Sequence, residues 1–245
     1  MRFWLRVSAM AAWLIACLPG HYAWRLARRR SPWPRLFLGG VGYLAGVRPQ
    51  VVGRPLRGDV LFVSNHLSWL DIMVLAGATG TAFVSRDDVA RWPVAGWLAG
   101  LNDSVFVARA RRGSVHGQAD ALRAALGSGK PLALFPEGTT EGGRSVLPFR
   151  ASLFAALLPP LPKVKLQPVA IDYGEIAHEI AWVGKEPAGA NARRLLSRRG
   201  TIPVTLHFLS PIDPGDIGDR KALAEGARAR IVSVLEASAE GGDPL

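Results

Sequence analysis

The 245-residue chain is 49% hydrophobic and 20% charged, which supplies one sizeable core and excludes a disordered or collagen-like chain. A single cysteine, Cys17, excludes an internal disulfide framework, and no Cys-x-x-Cys or His-Glu-x-x-His spacing offers a zinc site. The formal charge of +11 is not spread over the chain: ten arginines precede the first acidic residue, Asp59, and the remainder carries twenty basic against nineteen acidic residues. A nearly neutral body behind a basic leader is a poor match to a nucleic-acid-binding face.

The leader holds two apolar stretches, residues 7–20 (VSAMAAWLIACLPG) and 36–47 (LFLGGVGYLAGV), flanked by Trp4, Trp13, Trp24, Trp33 and Tyr43 and by the run RLARRR at 25–30. Arginine beside aromatic rings is membrane-interface chemistry. The first stretch would be about 21 Å long as a helix, short of a hydrocarbon core of roughly 30 Å. Residues 1–50 are therefore expected to form a helical hairpin embedded in one leaflet, with the arginines on anionic headgroups. A secretory signal ending near LIAC and a buried amphipathic helix pair are the competing readings. The arginine cluster after the first stretch favours a cytoplasmic flank, hence a monotopic protein on the cytoplasmic side of the inner membrane.

Beyond residue 50 short apolar runs alternate with helical patterns, which argues an α/β domain over 51–240, with 241–245 as a tail. Strands are expected at 60–64, 81–85, 104–108, 131–135, 165–171 and 204–209, and helices at 68–78, 87–99, 114–126, 149–158, 190–197 and 220–238. Pro168 inside an apolar run implies an edge strand or a bulge, so the central sheet is mostly parallel or mixed.

Two turns carry candidate chemistry. NHLSWLD, residues 65–71, follows the first of these strands. Ser68 and Asp71 suit a helix cap, with His66 an ordinary loop residue. The same spacing brings Asp71 within hydrogen-bond reach of His66, and a carboxylate that fixes the imidazole tautomer makes His66 a competent general base. FPEGTTEGG, residues 135–143, follows the strand at 131–135. Pro136 and Gly138 suit a tight turn; equally, a polar turn centred on Glu137 and exposing backbone N–H groups could hold an anionic or polyhydroxyl headgroup. Arg109, ending FVAR at 106–109, is either a solvated cation or a bidentate grip on phosphate.

Together these residues resemble the glycerolipid acyltransferases typified by 1-acylglycerol-3-phosphate (lysophosphatidate) acyltransferase. NHLSWLD is similar to that family's NHxxxxD motif and FPEGT to its second hallmark, while Arg109 and KLQPVAI at 165–171 fall where two further blocks belong. The resemblance implies a single acyltransferase domain that moves a fatty acyl group from acyl-CoA or acyl carrier protein to the free hydroxyl of a lysolipid. His66 would then be the base, Asp71 its orienting carboxylate, and Arg109, Glu137, Gly138 and Thr139 the acceptor site. The resemblance names no oxyanion donors; backbone N–H groups near the helix start at Ser68 are one option. No metal or bound cofactor is implied, and membrane lipids and the acyl carrier are the partners. One departure bears on the acceptor: Thr140 stands where the family's commonest motif has arginine. Arg144 or Arg150 is left to replace it, and FPEGTT also resembles members acting on lyso-ornithine lipid, whose headgroup lacks phosphate. Lysophosphatidate is the first expected acceptor and lyso-ornithine lipid the second. A peripheral lipid-binding protein with a structural His66/Asp71 pair is the non-enzymatic alternative.

Overall fold

The computed structural model describes residues 1–29, 31–87, 89–107, 115–140, 142–143 and 145–241. Two antiparallel helices open the chain, α1 (Arg2–Leu26) and α2 (Trp33–Ala45), followed by β1 (Val47–Gly53), β2 (Val60–Ser64), α3 (Leu70–Thr79), β3 (Ala82–Arg86) and α4 (Pro93–Leu101). Next come β4 (Val105–Val107), α5 (Val115–Gly127), β5 (Leu132–Leu134), β6 (Lys165–Asp172) and α6 (Ala177–Ile180). The chain then forms α7 (Ala188–Ser197), β7 (Ile202–Phe208), α8 (Pro214–Ile217) and α9 (Arg220–Ala239).

Among the described residues the strands form one seven-stranded sheet in the order β1-β7-β6-β2-β5-β3-β4. Every pairing is parallel except β6 with β7, so the sheet is mixed. Pro168 lies in a central strand, not at an edge. Leu166 bridges Ile212 while Val169 pairs with Phe208, so three steps along β6 face four along the returning chain. That one-residue offset is the bulge alternative, and Pro168 sits inside it, still accepting Leu209 N–H at 3.0 Å. A strand that the sequence pattern hides is β1: its middle, Arg48-Pro49-Gln50, reads as a linker, and an edge position tolerates that proline. The helix expected at 149–158 is instead a 3₁₀ segment, Ala151–Leu157.

Apolar clusters cover both faces of the sheet. On one, Phe62, Phe83, Val169 and Leu206 meet Leu70, Val74 and Leu75 of α3 and Leu195 of α7. On the other, Leu61, Leu132 and Leu166 meet Leu122 and Leu126 of α5, Phe154, and Leu223 and Ile231 of α9.

The helical hairpin is docked on α3 rather than tethered to it. A Cβ built on Gly77 of α3 would lie 2.8 Å from the Gly39 Cα of α2, so only glycine permits this backbone approach. The two ends of α1 are pinned as well. Arg6 donates to the Leu195 and Leu196 carbonyls at 3.4 and 3.3 Å, and Arg25 pairs with Asp103 at 3.2 Å. Arg35 of α2 donates to the Gly77 and Ala78 carbonyls at 3.1 and 2.9 Å, a cation at the negative end of α3. Of the run at 25–30, expected on lipid headgroups, Arg25 is the one paired with a protein carboxylate among the described residues. The first helix also outruns its apolar stretch. It continues past Pro19 to a length of 25 residues, about 37 Å, long and apolar enough by composition to cross a membrane.

Candidate active site

The site forms where the parallel strands β2 and β5 end. Asn65 leaves β2 and is clamped to the end of β6: its Nδ2 donates to the Ile171 carbonyl at 2.9 Å, and its Oδ1 accepts Ile171 N–H at 2.8 Å. This pair fixes the direction in which the chain turns toward His66.

Asp71, fully buried in the first turn of α3, reaches back over that turn. Its Oδ2 accepts three hydrogen bonds: from Leu67 N–H at 2.6 Å, from Ser68 N–H at 2.8 Å, and from His66 Nδ1 at 2.9 Å. Its Oδ1 accepts the Tyr173 hydroxyl at 2.8 Å. Capping and orientation of His66 are thus one arrangement, because the carboxylate that satisfies the helix N-terminus also grips the ring. Burial and the adjacent Asp71 carboxylate push the Tyr173 phenol well above its ordinary range, so it remains a donor.

With Nδ1–H directed at Asp71, the neutral imidazole carries its free lone pair on Nε2, which has no hydrogen-bond partner among the described residues. The ring stacks on Phe135 with centroids 4.1 Å apart and planes 15° apart, and Phe135 in turn stacks near Phe83. The His66 side chain is 17% exposed, so the base is held but open.

The second turn supports the first. Glu137, 4% exposed, accepts His66 N–H at 2.8 Å on Oε1 and Leu147 N–H at 2.9 Å on Oε2. Both carboxylate oxygens are engaged with backbone, which places Glu137 beneath the catalytic loop. Gly138 turns with φ +71°, and a Cβ there would lie 2.6 Å from the Arg150 guanidinium carbon. Thr139 is exposed. Thr140 donates its hydroxyl to the Trp182 carbonyl and so faces away from the turn. Arg109 and Arg144 lie outside the described residues. Exposed Arg150 rests on Gly138, and its guanidinium has no hydrogen bond to any described residue.

The backbone amides of Leu67 and Ser68, at the place considered for oxyanion donors, both donate to Asp71. The sequence reading also passes over Asn65, Tyr173 and a strap after β6. In that strap Trp182 N–H donates to the Leu67 carbonyl at 2.8 Å, and Asn191 bridges Trp69 Nε1 and Glu186. Arg194 holds Glu186 from the other side, and its hydrogen bond, with that of Asn191, lowers the Glu186 carboxyl below its usual range. The Asn of NHLSWLD was the one visible signal among these; the others come together only through the fold.

The profile of the family described as Acyltransferase matches residues 48–172, which contain the whole His66–Asp71–Glu137 arrangement. The chain belongs to this family. Similar relatives include the lyso-ornithine lipid O-acyltransferases of Rhodobacter capsulatus, 37% identical over 95% of this chain and 89% of theirs, and of Brucella abortus, 34% identical over 98% and 96%. The crystal structure of the 1-acyl-sn-glycerophosphate (LPA) acyltransferase from Thermotoga maritima superposes with a TM-score of 0.65. It is 20% identical, over 84% of this chain and 78% of that one, and shows that the fold is shared.

Proposed function

We propose that this acyltransferase moves a fatty acyl group from the thioester of acyl-CoA or acyl carrier protein to the free hydroxyl of a lysolipid, with lyso-ornithine lipid as the acceptor. The observation that carries the reaction is the His66 Nδ1–Asp71 Oδ2 contact of 2.9 Å, with Nε2 left open beside a polar turn. Nε2 removes the proton from the acceptor hydroxyl as its oxygen attacks the thioester carbonyl. The new C–O bond forms, the C–S bond breaks, and the departing thiolate recovers the proton from the imidazolium. A thioester already has a good leaving group, so no covalent enzyme intermediate is needed, and holding base and hydroxyl together supplies the rate.

Two observations move the acceptor from lysophosphatidate to lyso-ornithine lipid. Thr140, in place of the family's arginine, turns to Trp182, leaving Arg150 as the described cation resting on the turn. Without the family's arginine the turn offers a doubly charged phosphomonoester one cation fewer than the commonest motif does, a loss that matters less to the single carboxylate of an ornithine headgroup. Both relatives above also carry the lyso-ornithine name, over nearly the full chain.

The remaining assignments complete the reading. Arg109, Gly138 and Thr139 line the acceptor site, while Glu137 positions the His66 amide. Exposed Trp4, Leu5, Ile15, Tyr22 and Trp24 of α1 enter one leaflet, making the protein monotopic on the cytoplasmic side of the inner membrane.

The test is thiol release from a long-chain acyl-CoA by detergent-purified protein, offered lyso-ornithine lipid and lysophosphatidate separately and repeated with acyl carrier protein. Release that His66→Ala abolishes, faster with lyso-ornithine lipid, is the expected result. Faster release with lysophosphatidate would reverse the acceptor. Lipid binding that survives His66→Ala without any thiol release would make the protein a lipid carrier.

A further inference from the structure

The two turns that meet at His66 are tied directly and, a second time, through the strap after β6. The direct tie is the His66 N–H on Glu137 Oε1 at 2.8 Å. The second runs through the backbone of Trp182, whose N–H donates to the Leu67 carbonyl at 2.8 Å and whose carbonyl accepts the Thr140 hydroxyl. Leu67 follows His66 in the chain, and Thr140 stands three residues after Glu137. The contacts therefore close a ring, from His66 through Glu137, Thr140, Trp182 and Leu67 back to His66. It grips the base on both sides, at its own N–H and at the carbonyl of the next residue.

Trp182 is a firm post for such a ring. Its indole Nε1 donates to the Glu186 carbonyl at 2.7 Å, and Glu186 is held in turn by Asn191 and Arg194 of α7. The preceding residue, Ala181, gives its N–H to the Ala177 carbonyl at 2.9 Å and accepts Arg194 Nη2 at 2.9 Å. The tail of the acceptor turn closes on the same strap: a Cβ built on Gly143 would lie 2.9 Å from Ala177 Cβ and 3.2 Å from Leu67 Cδ2. Within the ring, the Thr140 hydroxyl is the tie that a substitution can remove without touching His66, Asp71 or Glu137. Thr140 and Trp182 are half-buried, so water can satisfy the freed Trp182 carbonyl. Water does not bind that carbonyl to the turn.

We infer that Thr140 is a positioning residue: its hydroxyl, acting through the Trp182 backbone, fixes the spacing between the acceptor turn and His66. A lysolipid seated on the turn then presents its hydroxyl in register with Nε2. The inference rests on the acyl transfer proposed above and gives Thr140 a part of its own, beyond the absence of an arginine. A small misplacement of base against acceptor costs rate more than affinity.

The test compares Thr140→Val, which keeps the shape of the side chain and removes the hydroxyl, with Thr140→Ser, which keeps the hydroxyl. In thiol release with lyso-ornithine lipid, kcat should fall by about tenfold in the valine variant, with the KM of donor and acceptor within about twofold. The serine variant should recover most of the rate. Lysolipid-independent thioester hydrolysis, in which water needs no register with the turn, should be nearly unchanged. Amide hydrogen exchange, which needs no substrate, should quicken over 65–70 and 180–183 in the valine variant but not in the serine variant. Thermal midpoints report folding, and should the valine variant not fold, Thr140→Ala against Thr140→Ser isolates the same hydroxyl. Unchanged kcat in the valine variant would overturn the proposal. So would a rise in acceptor KM alone, which would put the hydroxyl on the headgroup, or an equal loss of hydrolysis, which would make it a support of the base alone. No thiol release by the unmodified protein would overturn the acyl-transfer reading instead, while unchanged exchange would overturn the tie itself.

Discussion

The two turns that meet at His66 are built on opposite principles. In the β2–α3 turn the polar groups are buried and paired: Asn65 on Ile171, and Asp71 on four donors drawn from His66, Leu67, Ser68 and Tyr173. Among the described polar residues of the turn after β5, Glu137 is the buried one; Thr139 and the neighbouring Arg150 are exposed, and Thr140 faces the strap. The difference separates reaction from substrate. A base must be held to a fraction of an ångström, whereas an acceptor site must be refittable to different headgroups without disturbing that base. Glu137 is the joint between them, its two oxygens dividing the catalytic loop from the acceptor turn.

The sharpest way to break this comparison is Asp71→Asn. An amide has one oxygen and one NH₂ group: turned toward the Leu67 and Ser68 amides the NH₂ sets donor against donor, and turned toward Tyr173 it takes the place of the acceptor that the phenol O–H now uses, in either case without the negative charge that pairs with the imidazolium. Acyl transfer should fall by about 10³–10⁴-fold, as when an orienting carboxylate is lost from a histidine base. Stability should drop by about 1–3 kcal/mol for the unpaired buried groups. Thiol-release rates and a urea titration read both. Unchanged turnover would return Asp71 to the plain helix cap.

Tyr173→Phe sharpens the same side. It removes one donor to Oδ1 and leaves the His66 contact in place. Turnover should fall by up to about tenfold, equivalent to 1.4 kcal/mol, with the KM of both substrates unchanged. The phenol also predicts an alkaline limit. Its folded-state pKa is raised, chiefly by burial and then by Asp71, so the folded protein retains a proton that an unfolded tyrosine loses near about 10. Stability is complete below that value and declines as pH rises beyond it. The variant should lose that decline, which thermal midpoints across the alkaline range would show.

On the opposite side, Arg150→Ala should act on the acceptor alone. Losing one charge-assisted hydrogen bond, worth about 1.5–3 kcal/mol, should raise acceptor KM by about tenfold or more and leave donor KM and lysolipid-independent thioester hydrolysis unchanged. Gly138→Ala is the companion variant, since its Cβ would displace the guanidinium from the turn while a φ of +71° adds strain. A loss shared equally by donor and acceptor would place Arg150 in the scaffold.

How much of this was legible follows the same division. His66 and Asp71 are five residues apart, and a strand ending before a helix start is enough to bring them together. Tyr173 and Ile171 are about a hundred residues further on, and only the pairing of β6 beside β2 delivers them. Strand β1 escaped because an edge strand need not be apolar on both faces: Val51 and Val52 are 49% and 42% exposed, and Pro49 interrupts the pattern. The hairpin was visible as apolar and basic, but the carbonyls that hold two of its arginines were not, because sequence does not show which helix ends meet. Arg6 and Arg35 find theirs on α7 and α3.

The smallest expected effect concerns His207 on β7, remote from both turns. Burial lowers its pKa, with Asp172 opposing, and its Nε2 has no hydrogen-bond partner. A histidine kept neutral in the fold takes up its proton more readily once unfolded, so the unfolded state binds more protons as pH falls below about 6.5. Stability should therefore be complete above that value and decline as the medium becomes more acidic. His207→Gln should flatten the decline without altering acyl transfer at neutral pH, because neither turn touches this position. If the variant instead changed the rate at neutral pH, the sheet between β7 and β2 would be transmitting strain to Asn65, and the rigid separation of scaffold, base and acceptor turn would fail.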